Sequence, residues 1–445
     1  MKREKRAGGR KKSPKNSVVV KFSLVIAVSF ILFATVFKVT ELILGGKKDS
    51  FPKLNISLKE VPIEQIYLDE KGTKYPENTV TFTKNNRSTT FNNVEIKGRG
   101  NITWIQPKKP YQLKFSEKAG LLEHIPAKKW LLLADYFDDS HLRNALAFYI
   151  QNLLAATYPI EGEHTELYID DVYYGLYYIT EKVEIDKYRV ELKNDSGIIV
   201  ELDNLHNSDE SCATHSKNGD CFLIHDSINS DNSSIAIDTF TEKFNQLESA
   251  VANRDYYSVS EIIDVDSFAK YFLINEFANN PDAYGSSFFL YTDGDEDKIH
   301  ADAGWDFDLA FGNQKWEFEN IDHSTFLSPY NTTILKSYLS TNTAPRTSST
   351  KHLDRLSPIL YDLMDIPEFE FRVKEIYQET LSGKSEELLE YIRRQANYIR
   401  PAALRDQERW KLRTSFDDEI DYLIDWIAKR YDHFEQTYGT NSQEL

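Results

Sequence analysis

The spacing of apolar residues changes along this 445-residue chain, and that change restricts its fold more than any other feature. Over residues 61–115, short runs of β-forming residues alternate with turns, which is typical of a meander of strands. Residues 164–183, HTELYIDDVYYGLYYITEKV, predict a hairpin that turns at Asp170 and Asp171. Beyond Asp354 nearly every segment has helical periodicity. The sequence therefore predicts an α+β fold that is β-rich in its N-terminal part and helical in its C-terminal part.

Two segments within this pattern give more specific predictions. The first run of the meander, VPIEQIYLD at residues 61–69, is expected to be a strand. SHLRNALAFYIQNLLAATY, residues 140–158, has the spacing of an amphipathic helix, and Ser140 is the expected N-cap. We see no internal repeat, and we expect residues 61–440 to form one cooperative domain.

A polar stretch at residues 203–235 is rich in Asn, Ser and Asp, and it predicts a long loop that a partner could contact. The stretch contains both cysteines of the chain, Cys212 and Cys221. Histidines lie nearby, but the spacing fits no zinc template. A local disulfide or two free thiols is therefore favoured over a metal site.

The N-terminus predicts a membrane anchor. Residues 1–21 contain nine Lys or Arg and one Glu, and residues 22–37 carry no charge. With its flanking apolar residues the segment 22–44 is long enough to span a bilayer. The sequence ATVFKVT is a poor cleavage site, so an uncleaved signal-anchor is favoured over a cleaved signal peptide. The positive-inside rule then leaves the tail in the cytoplasm and places the linker at 45–60 and the large domain outside.

The net charge of −17 is unevenly distributed, because the basic tail lies ahead of a strongly acidic remainder. An acidic domain repels the phosphate backbone of nucleic acids, so we expect no nucleic-acid partner. The same charge is compatible with a basic protein substrate.

The segment GWDFDLAFGN, residues 304–313, places two carboxylates among large apolar residues. In an extended chain Asp306 and Asp308 point to one side and Phe307 points to the other. Two neighbouring carboxylates repel each other, and burying them costs free energy unless a cation or a proton compensates. A divalent metal site is one interpretation. The other is that the carboxylates cap backbone groups or pair with Lys or Arg.

Two further segments carry candidate chemistry. In NNPDAY, Asn280 and Asp282 follow a helical run, where Asn and Asp often serve only as caps. In EIKGRGNITWIQPKKPYQLKF, residues 95–115, basic residues accompany Gly98 and Gly100, which permit a tight turn. Such a loop can surround phosphate oxygens with N–H groups and cations, but it lacks the Walker sequence. A plain basic hairpin is the alternative.

The ordered set of motifs between residues 95 and 315 resembles the CotH kinase-like family, atypical protein kinases first named for a bacterial spore-coat protein. The motifs are IKGRGNITW, KKPYQLKF, KKWLLLADYFDDSHLRNALAFYI, LYIDDVYYGLYYITEKV, GIIVELDN, NNPDAY and GWDFDLAFGN. The resemblance implies a kinase-like core of reduced size without the usual H-R-D and D-F-G signatures. Neither signature occurs in this chain.

The resemblance also implies roles for individual residues. Asp306 resembles the metal-binding Asp, and Asp308 stands where some relatives carry Asn, which can also supply oxygen to magnesium. Asp282 resembles the catalytic Asp, with Asn280 beside it. The residues expected to contact ATP are basic residues of the glycine-containing segment, one acidic residue of the nucleotide cleft and the amide beside Asp282: Arg99, Lys109, Lys114, Glu181 and Asn280. The choice between the two lysines, and between a hinge and an ion-pair role for the glutamate, stays open.

The expected activity is transfer of the γ-phosphate of ATP, with Mg²⁺, to Ser or Thr hydroxyls of a secreted, surface or coat protein. A basic, Ser-rich substrate is expected. Because the domain lies outside the cytoplasm, this activity requires a compartment that supplies nucleotide. Two alternatives remain: an inactive nucleotide-binding surface or assembly protein, and a transferase that uses ATP for another modification, such as amino-acid ligation.

Overall fold

The computed structural model describes residues 51–122, 126–204, 211–301, 304–313, 323–324, 357–411 and 413–439. The predicted membrane segment at 22–44 lies outside these ranges. Within them, no helix is both long and apolar enough to cross a bilayer. The chain forms two compact units. Apart from the strand ends at residues 83–88, everything described below lies in the unit made of residues 53–82 and 89–445.

Seven strands form a closed barrel in the order β1-β2-β3-β4-β5-β7-β6. The barrel closes because β1 pairs in parallel with β6, with Lys53 opposite Glu166. Strand β3 pairs with β4, β4 with β5, β5 with β7 and β6 with β7, and all four of these pairs are antiparallel. The strands are β1 (Lys53–Ser57), β2 (Tyr75–Lys84), β3 (Arg87–Gly98), β4 (Tyr111–Ala119), β5 (Ala127–Leu133), β6 (Gly162–Ile169) and β7 (Val172–Glu181).

Side chains along each strand point alternately into the barrel and to its outer face, and the inward-facing apolar side chains fill the interior. In β4, Tyr111, Leu113 and Phe115 are buried, whereas Gln112 and Lys114 lie on the outer face. Residues of the neighbouring strands continue the same apolar layer. The outer face carries polar side chains on β3 and β4 and the apolar Leu131 and Leu133 on β5, and it forms one wall of the cavity described below.

The hairpin predicted at residues 164–183 is confirmed, because β6 and β7 are joined at Asp170 and Asp171. Both residues have positive φ, 50° and 62°. Two-residue turns with positive φ match the right-handed twist of paired strands, and Asp tolerates that conformation better than most residues.

The predicted first strand is wrong, because residues Ile63–Leu68 form a helix, α1. Ile63 and Ile66, three residues apart, are its buried positions, which is helical spacing. The barrel also begins at Lys53, inside the predicted linker at 45–60.

A second sheet follows the barrel, with the order β11-β8-β10-β9. Its strands are β8 (Ile198–Leu202), β9 (Thr214–His215), β10 (Cys221–Ser227) and β11 (Phe288–Thr292). The expectation of one long loop at 203–235 is therefore wrong for the residues of β9 and β10 and for the start of a helix at Ser233. The apolar run CFLI is short and polar residues surround it, so its pattern did not predict a strand. It nevertheless forms part of β10, and its Phe222 lies opposite Leu202 of β8.

The cysteines in this sheet are bonded to each other. Cys212 and Cys221 form a disulfide, as the first of the three interpretations proposed. His215 lies close to both sulfurs. Because a metal-binding cysteine supplies a thiolate, the bonded sulfurs are not metal ligands in this state.

Helices make up most of the remaining described chain. They are α2 (Arg143–Leu153), α3 (Ser233–Ala252), α4 (Tyr256–Ile262), α5 (Val265–Ala278), α6 (Ile359–Met364), α7 (Pro367–Thr380), α8 (Ser385–Trp410) and α9 (Phe416–Tyr438). The helical pattern predicted beyond Asp354 is thus confirmed for residues 359–438. Helix α5 packs against α7, and α8 packs against both α9 and strand β7, which connects the helical part to the barrel.

Helix α2 is shorter than the predicted 140–158, and its capping group differs. Ser140 is not the N-cap. Instead the Asp138 carboxylate accepts hydrogen bonds from the backbone N–H of Arg143 (2.9 Å) and of Ser140 (3.0 Å), and the Ser140 hydroxyl also donates to it. A carboxylate is the stronger acceptor, and its charge suits a helix N-terminus.

Candidate active site

A cavity of about 640 Å³ lies between the outer face of the barrel and the second sheet with its adjoining loops. Strands β3, β4 and β5 supply one wall, β8 and β10 supply another, and the loops after α5 and before Asn313 close it. The ionisable residues that line it are Lys71, Lys97, Arg99, Asp135, Lys182, Glu201, His225, Asp282, Asp306, Asp308 and Arg413.

The segment at residues 304–313 is not the extended chain for which the alternation was predicted, because Asp306 has a positive φ. Phe307 is fully buried, whereas Asp306 and Asp308 line the cavity. The backbone N–H of Phe307 donates to the Asn144 side chain (2.9 Å), which ties the segment to helix α2. Asp306 has φ 64°, a left-handed conformation that residues other than Gly and Asn rarely adopt. Surrounding contacts therefore hold both carboxylates at the cavity.

The two carboxylates repel each other. Burial raises the pKa of Asp308 well above its usual value, and the charges of Asp306, Asp135 and Asp282 raise it further. Burial also raises the pKa of Asp306, although its carboxylate stays accessible from the cavity, and the Arg99 guanidinium opposes that rise. Neither side chain forms a hydrogen bond or an ion pair with any described residue. A divalent cation would relieve the repulsion, and carboxylate oxygens are the ligands that Mg²⁺ prefers.

The turn after helix α5 brings Asp282 into the same cavity. The helix ends at Asn279, which has φ 51° and reverses the chain direction. Backbone N–H groups of Gly285 and Ser286 both donate to the Asp282 carbonyl at 2.9 Å, which fixes the turn. Asn280 does not line the cavity. It is buried and donates to the Asn275 side chain (3.1 Å), so it supports the turn from behind.

Cationic side chains also line the cavity. Lys97 and Lys182 extend into it from β3 and from the residue after β7, next to Arg99. Burial lowers the pKa of both lysines, and the neighbouring Lys129 lowers it further. Within the described ranges the side chains of Lys97 and Lys182 form no hydrogen bond or ion pair. Burial and mutual repulsion both disfavour their charge, so an anion between them would be stabilised.

The two lysines predicted to contact phosphate do not line the cavity. The Lys109 ammonium donates to the carbonyls of Trp104 (2.6 Å) and Gln106 (3.2 Å), inside the turn that follows β3. Lys114 lies two residues beyond the cavity-lining Gln112, on the same face of β4, and its side chain is exposed to solvent. Sequence reasoning missed Lys97 because the strand pairing that brings it to the cavity is not visible in the sequence.

Glu181 also lies outside the main cavity. It accepts hydrogen bonds from the Glu161 N–H (2.9 Å) and from Arg189 Nε (3.3 Å), and it lines a separate cavity of about 270 Å³. Burial raises the pKa of Glu181 to about 7. The ion-pair interpretation of this residue is the one that the geometry favours, and its neighbour Lys182 reaches the main cavity instead.

Asp135 is a cavity residue that sequence reasoning missed. It lies two residues beyond the end of β5, after the apolar run WLLLA, and an acidic residue that follows such a run is the signal that was available. Burial raises its pKa to about 6. Like Asp306, Asp135 has a left-handed backbone conformation, with a φ of 47°.

In this protein a β-barrel and a second sheet with its helices surround a cavity that is rich in carboxylates. The family is given by sequence comparison. The sequence model of the family described as CotH kinase protein matches residues 96–434, which is most of the chain, and the chain belongs to this family. A comparison with curated proteins found no match.

Proposed function

We propose that this protein is an atypical protein kinase that transfers the γ-phosphate of ATP to a Ser or Thr hydroxyl of a protein, with Mg²⁺. The observation that carries the proposal is that Asp282, Asp306 and Arg99, from three distant segments, line one cavity. Membership of the CotH kinase family supports it. A cavity of about 640 Å³ also has the size of an ordinary nucleotide or drug-sized ligand site.

The residues present fit a magnesium ion. Asp306 and Asp308 offer carboxylate oxygens that accept no hydrogen bond from the described residues, and both are destabilised by mutual repulsion. Bound there, Mg²⁺ would offset negative charge on the β- and γ-phosphates during transfer. Arg99, near both carboxylates, would bind a phosphate oxygen of the same triphosphate.

The rest of the nucleotide has suitable partners in the cavity. Lys97, Lys182 and the open turn at Gly100 provide cations and backbone N–H groups for the phosphates. Apolar side chains for the base come from β5, from the residue after Lys182 and from β10: Leu131, Leu133, Val183 and Leu223. We therefore place the base against the barrel wall and the phosphates toward Asp306.

Asp282 is the proposed base. Its carboxylate would accept the proton of the acceptor hydroxyl as that oxygen bonds to the γ-phosphorus. The bond between the γ-phosphorus and the β–γ bridging oxygen breaks in the same step, and ADP leaves with that electron pair. The chain's own contribution is orientation and charge stabilisation, which phosphoryl transfer needs far more than covalent help.

The test is transfer of radiolabelled phosphate from ATP to a basic, Ser-rich protein by the full chain and by Asp306→Ala. Loss of one preorganised electrostatic group costs about 3–4 kcal/mol, so labelling should fall by a factor of about 10²–10³ or more. Asp295→Ala, an exposed acidic residue outside the cavity lining, is the matched control and should label at the wild-type rate.

Three different results would contradict the proposed kinase function or the role of Asp306. Unchanged labelling by Asp306→Ala would remove this residue from the mechanism. Mass spectrometry of the treated protein gives the other outcomes: an amino-acid adduct would indicate ligation, and ATP binding without any adduct would indicate a nucleotide-binding assembly protein.

We further propose that residues 22–44 anchor the protein in a membrane, with residues 1–21 cytoplasmic and the kinase domain outside. The disulfide between Cys212 and Cys221 supports an oxidising compartment. Protease added to intact cells should digest the domain and spare an N-terminal tag. Protection of the domain in intact cells would contradict this orientation.

A further inference from the structure

Asp135 is a buried carboxylate with an oxygen that no described group satisfies. Its side chain is 5% exposed and lines the main cavity. Oδ1 accepts a hydrogen bond from Asn144 Nδ2 (3.2 Å), whereas Oδ2 has no hydrogen-bond partner. Buried polar atoms are nearly always paired, so an unpaired carboxylate oxygen at a cavity indicates a missing ligand.

The obvious protein partners of Asp135 are engaged elsewhere. The Lys108 ammonium pairs with Asp406 (2.9 Å) and donates to the Leu176 carbonyl (2.6 Å). The His141 ring faces Asp406, with Nε2 3.4 Å from Asp406 Oδ2, and it forms no hydrogen bond with Asp135. Asp135 therefore has no salt bridge in the part of the chain that the structure describes, and a structural ion pair does not explain it.

Asn144 connects Asp135 to the segment that carries Asp306 and Asp308. Its amide nitrogen donates to Asp135, and its amide oxygen accepts from the backbone N–H of Phe307 (2.9 Å). One side chain thus positions Asp135 next to the residue that precedes Asp308. The proximity is reflected in the charge of Asp135, which raises the pKa of Asp308.

The side-chain amide of Asn280 lies in the turn after helix α5 that also carries Asp282, but it does not line the cavity. Protein kinases hold a second magnesium ion with an Asn of the catalytic loop. Here Asn280 is buried, lies outside the cavity lining and donates to Asn275. A second ion in this cavity must take its ligands from other residues.

We propose that Asp135 and Asp308 bind a second divalent cation, next to the cation bound by Asp306, with Asn144 as a positioning residue. The inference rests on the proposed kinase function and adds a ligand from the end of β5. Five carboxylates line the cavity: Asp135, Glu201, Asp282, Asp306 and Asp308. Glu201 has a partner in His225, whose Nδ1 lies 3.3 Å from its Oε2. Two divalent cations would offset the charge of the other four while leaving the cationic residues free for the triphosphate.

The experiment counts Mn²⁺ ions bound to the full chain in the presence of adenylyl imidodiphosphate, by electron paramagnetic resonance of free Mn²⁺. Wild type should bind two ions per chain and Asp135→Asn only one. Asn tolerates the positive φ of residue 135 and keeps the side-chain shape. Should that variant fail to fold, Asp135→Gly also accepts the conformation and lacks the carboxylate, with the same expected loss.

Asp139→Asn is the matched control. Asp139 is similarly buried, also has an oxygen without a hydrogen-bond partner, and lies outside the cavity lining. This variant should bind two ions. Asn144→Ala should weaken the second ion by about tenfold without abolishing it, because it loosens Asp135 but leaves both carboxylates.

The outcomes separate the inference from the proposed function. Two ions on both Asp135 variants, or a single ion on wild type, would overturn the inference and leave the kinase proposal standing. Absence of any bound ion on wild type would contradict the magnesium dependence itself, and both would fall.

Discussion

Adjacent lysines in this protein have different tasks, which shows how much a residue's role depends on its contacts. Lys108 is fully buried and pairs with Asp406 of helix α8. Lys109 lies between the rings of Tyr67 and Trp104 and donates to two carbonyls of the turn at residues 99–107. Lys109 therefore holds the turn that presents Arg99 and Gly100 to the cavity.

Replacing Lys109 by Met should impair nucleotide binding indirectly. The change removes two charge-assisted hydrogen bonds, and a hydrogen bond to a charged group contributes about 1.5–3 kcal/mol. We expect the KM for ATP to rise by about tenfold or more with a smaller change in kcat, measured by steady-state phosphate transfer. Lys109→Arg should restore part of the affinity.

Lys114→Met is the control, because Lys114 is exposed and forms no hydrogen bond with a described residue. It should leave the KM unchanged. A large rise in KM for Lys114→Met and none for Lys109→Met would restore the direct phosphate contact that the sequence suggested and contradict the positioning role.

At the scale of elements, the buried carboxylate of Asp406 is one of the contacts that join helix α8 to the barrel. Asp406 Oδ1 accepts from Lys108 and from the Leu176 N–H (2.7 Å) of strand β7. Gly175 lies so close that an added Cβ would approach Asp406 Oδ1 to 2.2 Å. The positive φ of Gly175, 128°, suits glycine as well, so the strand and the helix meet at a position that admits no side chain.

Asp406→Ala should strongly destabilise the protein, because it leaves the Lys108 ammonium buried without its counter-charge. Breaking a buried pair in this way costs about 3–5 kcal/mol. Chemical denaturation followed by circular dichroism measures the free energy of unfolding. Glu408→Ala, on the exposed side of the same helix, should change it by less than about 0.5 kcal/mol. Equal effects of the two variants would contradict the account.

The sequence identified elements with strong periodicity and missed those decided by tertiary contacts. The hairpin at Asp170 and the C-terminal helices were predictable from local pattern. Helix α1 was not, because VPIEQIYLD also has strand-like composition and only its packing selects the helix. Strand β10 was not, because a short apolar run in a polar segment becomes a strand only when β8 pairs with it.

Some residues of the candidate site could be predicted from local sequence, and others could not. Asp282, Asp306 and Asp308 were predictable because each lies in a distinctive local motif, and the structure brings all three to one cavity. Lys97, Asp135 and Lys182 were not, because only strand pairing and the left-handed turn at Asp135 bring them there.

For the whole molecule, stability should depend on pH through His164. This residue is 3% exposed, and its Nε2–H donates to the His141 carbonyl (2.7 Å). Burial lowers its pKa to about 4, from about 6.5 in the unfolded chain. Between these values the unfolded chain binds a proton that the folded protein does not, so stability is lost as pH falls from 6.5 toward 4.

His164→Asn keeps a donor and removes the titration. The fall in the free energy of unfolding between pH 7 and pH 4.5 should be smaller than in wild type by up to about 3 kcal/mol, measured by urea denaturation. His215→Asn, an exposed histidine, should retain the wild-type fall. The same pH dependence in His164→Asn and wild type would show that His164 is not the group responsible.

We propose above that Asp282, Asp306 and the cationic residues form one metal-dependent nucleotide site. Calorimetric titration of the full chain with adenylyl imidodiphosphate tests it most directly, with Mg²⁺ or with EDTA, for wild type and Asp306→Asn. We expect binding by wild type with Mg²⁺ and an affinity lower by about tenfold or more when either Mg²⁺ or the Asp306 carboxylate is removed. No binding by wild type with Mg²⁺, or equal binding in all four cases, would contradict it.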